Sequence, residues 1–227
     1  MQTHELLDQS FDEQFGQIAG LSWLPWVGLD FRSAPEKLLI LGESVYNWTP
    51  ACAETQARIE HPENLRRLHV SHALNDKSKA RYVRNIERAL FNKRRATTDE
   101  RRHFWSNVTY HNLVLRMLPS LKHRPLYSDY REGWKVAFSL VAELNVDSVV
   151  VYGLEAEKRN AFNEVAESEN IRCVSLKADA KIGRSKPRVV SVEINGRTVR
   201  FIFIRHPSAY FSWKKWAPYL RQHIQLG

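Results

Sequence analysis

Three short stretches of this chain hold residue types that can break a bond at a polar carbon. Gly42-Glu43-Ser44-Val45-Tyr46 offers a carboxyl, a hydroxyl and a ring. Arg205-His206-Pro207-Ser208-Ala209-Tyr210 offers an imidazole, and the run from Phe104 to Asn112 offers aromatics and an amide. Glu43 can take a proton from water, a neutral His206 can donate to a developing oxyanion, and Asn112 can donate and accept at once along a planar edge. Together they suit hydrolysis of the bond between deoxyribose and an extruded base, which needs a pocket, an anion stabiliser and a carboxyl group near the sugar. Each residue also has a plain structural reading: His206 as a helix cap, Asn112 as a turn former, Glu43 as the partner of a nearby Arg. A nucleophile elbow at Ser44, with His206 as base and Asp147 as orienter, has a permitted chain order, but Tyr46 stands where the elbow needs glycine.

The elements that must carry these stretches read as α/β. Leu38-Leu39-Ile40-Leu41 ending at Gly42, and Val149-Val150-Val151-Tyr152 ending at Gly153, are buried-strand runs. Ligands in such sheets bind beyond the carboxyl ends of the strands, where Glu43 and His206 fall, and Gly42 is expected to turn the chain sharply there. Helices are expected over Lys79 to Arg95, from the capping box Thr97-Thr98-Asp99-Glu100, over Tyr127 to Leu144 with Ser128 as N-cap, over Glu155 to Glu167, and over Trp213 to Ile224, where Pro218 threatens a break. Two strand runs flanking Asn195-Gly196 form the strongest hairpin signal. The expected fold is a three-layer αβα domain with a central, mostly parallel sheet and a C-terminal β-hairpin.

Charge is segregated along the 227 residues. Lys77 to Arg102 carries +7 and Lys177 to Arg221 carries +9, so the rest of a chain with net charge +9 is acidic. Basic segments that can share a face are the footprint of a polyanion binder, although a solvated basic face gives the same composition. Arg94 and Arg95 are expected at DNA phosphates, and Ser44 and Ser208 beside the scissile sugar. No apolar run approaches the roughly 18 residues of a membrane span, and Met1 to Asp8 has no secretory pattern, so a cytoplasmic monomer without a membrane partner is expected. Cys52 and Cys173 are too few for a disulfide framework or a metal cluster. His61, His69, His72, His103 and His111 show no ligand spacing and are expected at the surface or facing DNA.

The strand ending in Gly42-Glu43-Ser44-Val45-Tyr46, the late strand ending in His206-Pro207-Ser208 with aromatics after it, and the Phe104 to Asn112 stretch resemble the signature segments of the uracil-DNA glycosylase superfamily. The likeness extends from Leu38 to Leu220 but is carried by those three segments. It implies one glycosylase-like domain over residues 1–227 that excises a damaged or modified base without a metal or redox cofactor. Under it, Gly42 to Tyr46 is the water-activating loop with Tyr46 against the base, Phe104 stacks, Asn112 reads the base edge, and His206 to Ser208 is the second active-site loop. Ser44 departs from the Asp of the best-known branch and Val45 from its Pro. Gly42-Glu43 resembles the iron–sulfur branch, whose cluster cysteines this chain lacks. Ser44 therefore leaves a second reading open, a nucleic-acid-binding protein that keeps the fold without the chemistry. The residues also leave open which base is taken, and whether it lies in the cell's own DNA or in that of an invader.

After the second loop come Tyr210 and Phe211 near Lys214 and Lys215, an aromatic wedge flanked by phosphate-binding lysines or, equally, rings that pack the last helix. If the basic stretches meet phosphates, DNA affinity falls steeply between low and physiological salt, because salt opposes counterion release. Neutralising Arg94 and Arg95 then weakens binding to all sequences alike. A titration that shows no salt dependence counts against a phosphate interface.

Overall fold

The computed structural model describes residues 4–47 and 53–225, so Cys52 and the first three residues lie outside the described residues. In chain order the elements are α1 (Asp12–Phe15), β1 (Trp26–Val27), β2 (Leu38–Gly42), β3 (Val45–Tyr46), α2 (Ala53–Glu60), α3 (Asn64–His69) and a π-helical turn over Val70–Leu74. Then come α4 (Arg81–Phe91), α5 (Thr98–Asn107), β4 (Val108–Asn112), β5 (Met117–Leu118), α6 (Tyr127–Glu143), β6 (Ser148–Tyr152), α7 (Ala156–Ser168), β7 (Arg172–Ala178), β8 (Arg188–Ile194), β9 (Arg197–Ile204) and α8 (Trp213–His223). Seven strands form one sheet in the order β1-β4-β2-β6-β9-β8-β7. The central β4, β2, β6 and β9 are mutually parallel, and β1, β8 and β7 are antiparallel at the margins. β3 and β5 form a small parallel pair beside it.

The two innermost strands, β2 and β6, are apolar at nearly every position because both sheet faces are covered. In β2, Leu39 and Leu41 face a core built with α6 and α7 (Trp134, Phe138, Phe162), while Leu38 and Ile40 face one built with α4, α5 and α8 (Ile86, Trp105, Trp216). The hairpin turns at Asn195 and Gly196, whose φ values of 51° and 72° give the doubly left-handed turn that suits twisted strands. α5 opens on the expected capping box: the Thr97 hydroxyl accepts from Glu100 N at 3.1 Å, and the Glu100 carboxylate accepts from Thr97 N at 2.9 Å. No described helix is long and apolar enough to cross a membrane.

Several local expectations are corrected. α4 is shorter than Lys79 to Arg95, because Asn92 adopts a left-handed conformation after Phe91 and ends it. Ser128 is not the cap of α6; the Asp129 carboxylate takes the orphan N–H of Leu126 at 2.7 Å. Pro218 does not break α8, which runs through it from Trp213 to His223. Nor are His69 and His111 at the surface, for both are fully buried.

Burial holds His111 down at about 4, against a bond from its Nε2 to Trp23 O at 2.9 Å, and pushes His69 well below the usual imidazole range. The unfolded chain thus binds more protons than the native one between the ordinary value near 6.5 and these lowered ones, so stability is full above that window and falls with pH inside it. For His111 alone the loss is on the order of 3 kcal/mol across the window. Urea unfolding from pH 7 down to pH 4 is expected to show that decline, and a flat profile would remove buried neutral histidines from the account.

Candidate functional site

Strand alternation builds the site. On the face that carries Ile40, Tyr110, Val150 and Ile202, the next side-chain positions toward the carboxyl ends are Gly42, Asn112, Tyr152 and, two steps beyond Ile204, His206. Gly42 lies between β4 and β6 and leaves the gap. A Cβ there would strike Asn112 Oδ1 and the Tyr110 hydroxyl. Gly42 is thus needed for close approach, not for the sharp turn expected of it, and its φ is unexceptional.

Above this gap lies a cavity of 570 Å³. It is lined by Glu43, Ser44 and Tyr46 from the first loop, by Asn112 and Tyr152 from strand ends, by His206 and Ser208 from the second loop, and by residues of α2, α3 and the π-turn. Segments far apart in sequence therefore meet at one place, which is the crevice beyond the strand ends. A smaller hollow of 420 Å³ adjoins it across Asn47, Ile59 and Met117.

Glu43 is buried and held. Its Oε1 accepts from Lys158 Nζ at 2.8 Å and from the Tyr130 hydroxyl at 3.5 Å. Lys158 also donates to Tyr152 O at 2.5 Å and to Glu155 Oε2 at 3.0 Å, so all three ammonium hydrogens have an acceptor. The partner of Glu43 is a lysine reaching from α7, not the arginine of the structural reading. Gly153 follows β6 with φ 103°, and a Cβ there would meet both Lys158 Nζ and Glu155 Oε2.

His206 is half-buried, and its Nδ1 accepts from Ser208 N at 3.2 Å and lies 2.8 Å from the Ser208 hydroxyl. An Nδ1 that accepts a backbone N–H carries no proton, so the neutral ring bears its hydrogen on Nε2. Burial lowers the His206 value; Glu43 opposes this and Lys158 adds to it, so the neutral form prevails at neutral pH. Asn112 Oδ1 accepts from the Tyr110 hydroxyl at 2.8 Å, which leaves the amide its Nδ2 donor to offer. Oδ1 keeps its second lone pair beside that donor.

The structure does not bring all the expected residues to the cavity. Phe104 is buried among Phe91 and Trp105 and has no face for a base. Phe211 stacks on Trp216 at 5.5 Å and packs α8 against the sheet. Tyr210 is 89% exposed, held at φ 52° with the Arg205 guanidinium 5.4 Å from its ring, a strained placement for a bulky residue. Lys214 and Lys215 are exposed in the first turn of α8, just beyond it. Arg94 and Arg95 are exposed past the end of α4, and Tyr82 near the start of that helix lines the cavity, so they stand roughly a helix length away. The Ser44 elbow is ruled out, because Asp147 sits before β6 at the opposite end of the sheet, bonded to Lys37 N at 2.8 Å and Arg197 at 2.5 Å. Among the described residues no three of His, Cys, Asp and Glu converge as metal ligands.

Missed from the sequence were Lys158, which fell within the expected helix over Glu155 to Glu167, and Tyr152, which read as the last residue of a buried strand. The Tyr152 hydroxyl is buried without a partner in the cavity wall, its ring 5.5 Å from that of His206, and burial holds its ionisation well above the usual range.

No protein-family model matches the chain, and no curated protein matches it. Among solved structures it is similar to a domain of unknown function (DUF1537) from Bordetella bronchiseptica with bound citrate, at 10% identity and a TM-score of 0.31. That alignment covers 80% of this chain and 39% of the other, so this chain spans well under half the length of the protein it matches.

Replacing Lys158 with Met leaves Glu43 as an uncompensated buried charge, and about 3–5 kcal/mol of stability is expected to go. Adding Glu43→Gln to that variant restores a large part, because the unpaired group is then neutral. Urea midpoints of the single and double variants check this, and equal losses in both would mean the pair is not coupled.

Proposed function

We propose that this protein is a DNA glycosylase that hydrolyses the N-glycosidic bond of a flipped damaged or modified base, acting as a cytoplasmic monomer. The observation that carries the reading is the convergence of Glu43, Tyr46, Asn112 and His206 on one cavity at the strand ends. An extruded base fits between Tyr46 and Asn112, with Asn112 Nδ2 donating to its edge. His206 Nε2–H donates to the base oxygen as negative charge develops there, and the neutral, fixed tautomer is the form that can do so without reorganising. Glu43 stands where a carboxyl group orients water or faces the cationic sugar, and Ser208 flanks it toward the phosphates, whereas the Ser44 hydroxyl is buried. Tyr210, exposed beside Arg205, Lys214 and Lys215, is the side chain placed to fill the hole left in the duplex.

A second reading is favoured by one observation. Glu43 already spends one oxygen on Lys158, as a purely structural carboxyl would, and this suits a nucleic-acid-binding protein that has kept the pocket and lost the chemistry.

Alkali-induced strand cleavage at abasic sites, on duplexes carrying uracil, hypoxanthine or modified cytosines, separates the two. Cleavage on any of them is expected. His206→Ala is expected to slow it by about 10²–10³-fold and Glu43→Gln by at least 10²-fold with DNA binding retained. Tyr210→Ala is expected to stay folded and lose more activity on duplex than on single strands, where nothing has to be unpaired. Wild-type turnover in the His206 and Glu43 variants would remove both from the mechanism.

A further inference from the structure

The second loop is tied down from α4. Asn85 Nδ2 donates to Pro207 O at 2.7 Å, across 122 residues of chain, and both residues are buried. We propose that Asn85 is a positioning residue that holds His206 as a neutral donor with its hydrogen on Nε2, acting through the peptide unit between Pro207 and Ser208. The hold on the ring stands on geometry alone, and its consequence for cleavage rests on the glycosylase reading.

A peptide unit is planar, so its C=O and N–H turn together. Here one unit supplies both the Pro207 carbonyl that Asn85 grips and the Ser208 N–H that His206 Nδ1 accepts at 3.2 Å. Gripping one end therefore aims the other. Without the grip the unit is free to rotate, Ser208 N turns away, and Nδ1 becomes a second place for the ring hydrogen. The remaining bonds of the loop do not replace this tether. The Ser208 hydroxyl to His206, and Arg205 Nε to Ala209 O at 3.1 Å, lie within the loop, and Arg205 reaches Ser185 Oγ only at 3.4 Å. Pro207 has no N–H, so its carbonyl is the one backbone group by which it can be held.

Asn85 is itself oriented. Arg88, one turn along α4, donates from Nη1 to Asn85 Oδ1 at 3.3 Å and is anchored by its Nε to Arg94 O at 2.9 Å. A guanidinium has donors only, so the amide oxygen faces Arg88 and the amide nitrogen faces Pro207. A purely structural Asn85 would do no more than satisfy a buried carbonyl. The two roles differ at the imidazole: losing a structural bond costs stability, whereas losing a positioning bond also releases His206. The charged groups that act on this ring are Glu43 of the first loop, Glu155 and Lys158 at the start of α7, and Arg124 before α6, and all of them remain when Asn85 is changed.

The test reads the His206 ring by NMR, in protein isotope-labelled at the histidine nitrogens, and cleavage by alkali on the duplex panel, for wild type, Asn85→Leu, Asn85→Asp and Arg88→Met. Wild type is expected to show a single tautomer. In Asn85→Leu the ring hydrogen is expected to divide between both nitrogens, and the His206 midpoint to rise toward the ordinary value of about 6.5 as burial is relieved. Asn85→Asp keeps the size and the Arg88 contact but offers no donor; its charge itself raises the midpoint, so there the tautomer alone is read. Arg88→Met frees the Asn85 amide from a half-exposed position and is expected to show the same change to a smaller extent, even if the Asn85 variants unfold. Cleavage is expected to fall about 10–100-fold in Asn85→Leu with DNA affinity kept within about twofold. Added to His206→Ala, the same change is expected to cost no more than about twofold, since no imidazole is left to place. An unchanged His206 tautomer in the variants, or a loss that multiplies in full onto that of His206→Ala, overturns the inference. A changed tautomer in a protein that cleaves no duplex keeps the inference and removes the glycosylase reading, and cleavage with His206 unchanged does the reverse.

Discussion

Everything at the strand ends depends on one buried ammonium. Lys158 reaches from α7 to the first loop through Glu43, to the end of β6 through the Tyr152 carbonyl, and back to its own helix through Glu155. A buried charge of this kind is costly unless every hydrogen finds an acceptor, and here each does. The contact fixes the Glu43 carboxyl and seals the junction between sheet and helix layer. It also requires Gly153, because a side chain on that turn would occupy the space of the Lys158 head group.

On the other face of the sheet the constraint is a missing side chain. β2 runs between β4 and β6, and the period of two that puts Leu38 and Ile40 into the core puts Gly42 next on the same face. Asn112 and Tyr110 close over it. The cavity thus lies over the α4 and α8 side of the sheet, while the ion pair that steadies its floor is anchored from α7 on the opposite side. Arg66 of α3 bonds Pro25 O at 2.7 Å and the Asp12 carboxylate at 2.9 Å, which ties the α3 wall to the N-terminal segment.

How much of this was legible follows from range. The β2 and β6 strands, the Thr97 capping box and the Asn195-Gly196 turn are set by neighbours within a few residues, and they stand where the sequence places them. Glu43 and His206 were legible as cavity-lining residues because such cavities follow the ends of parallel strands, whereas Asn112 came from the resemblance, the strand β4 that carries it not being expected. Lys158 was not, since its burial depends on a carboxyl group 115 residues away in the chain. Phe104 and Phe211 misled for the converse reason: an aromatic beside basic residues has the same local signature whether it stacks on a base or fills a core, and only the packing of α5 and α8 decides. The π-turn after His69 has no sequence pattern, so its place in the cavity wall, with Ser71 and His72, appears only in three dimensions.

The same ion pair also weights the proposed chemistry. The Glu43 carboxyl group faces an ammonium at 2.8 Å that also serves Glu155, so the three groups carry one net negative charge spread over two carboxylates, and the field at a cationic sugar is weaker than that of a lone carboxylate in the place of Glu43. In the proposed mechanism the sugar side of the reaction is accordingly served less strongly than the leaving-group side. There the neutral His206, locked by Ser208 in one tautomer, and the unpartnered hydroxyl of Tyr152 beside it supply two donors that need no rearrangement. With Ser44 in place of an aspartate, that balance favours bases that leave readily once their anion is solvated by these donors, and it makes the grip on the departing base, not the activation of water, the step on which selectivity rests.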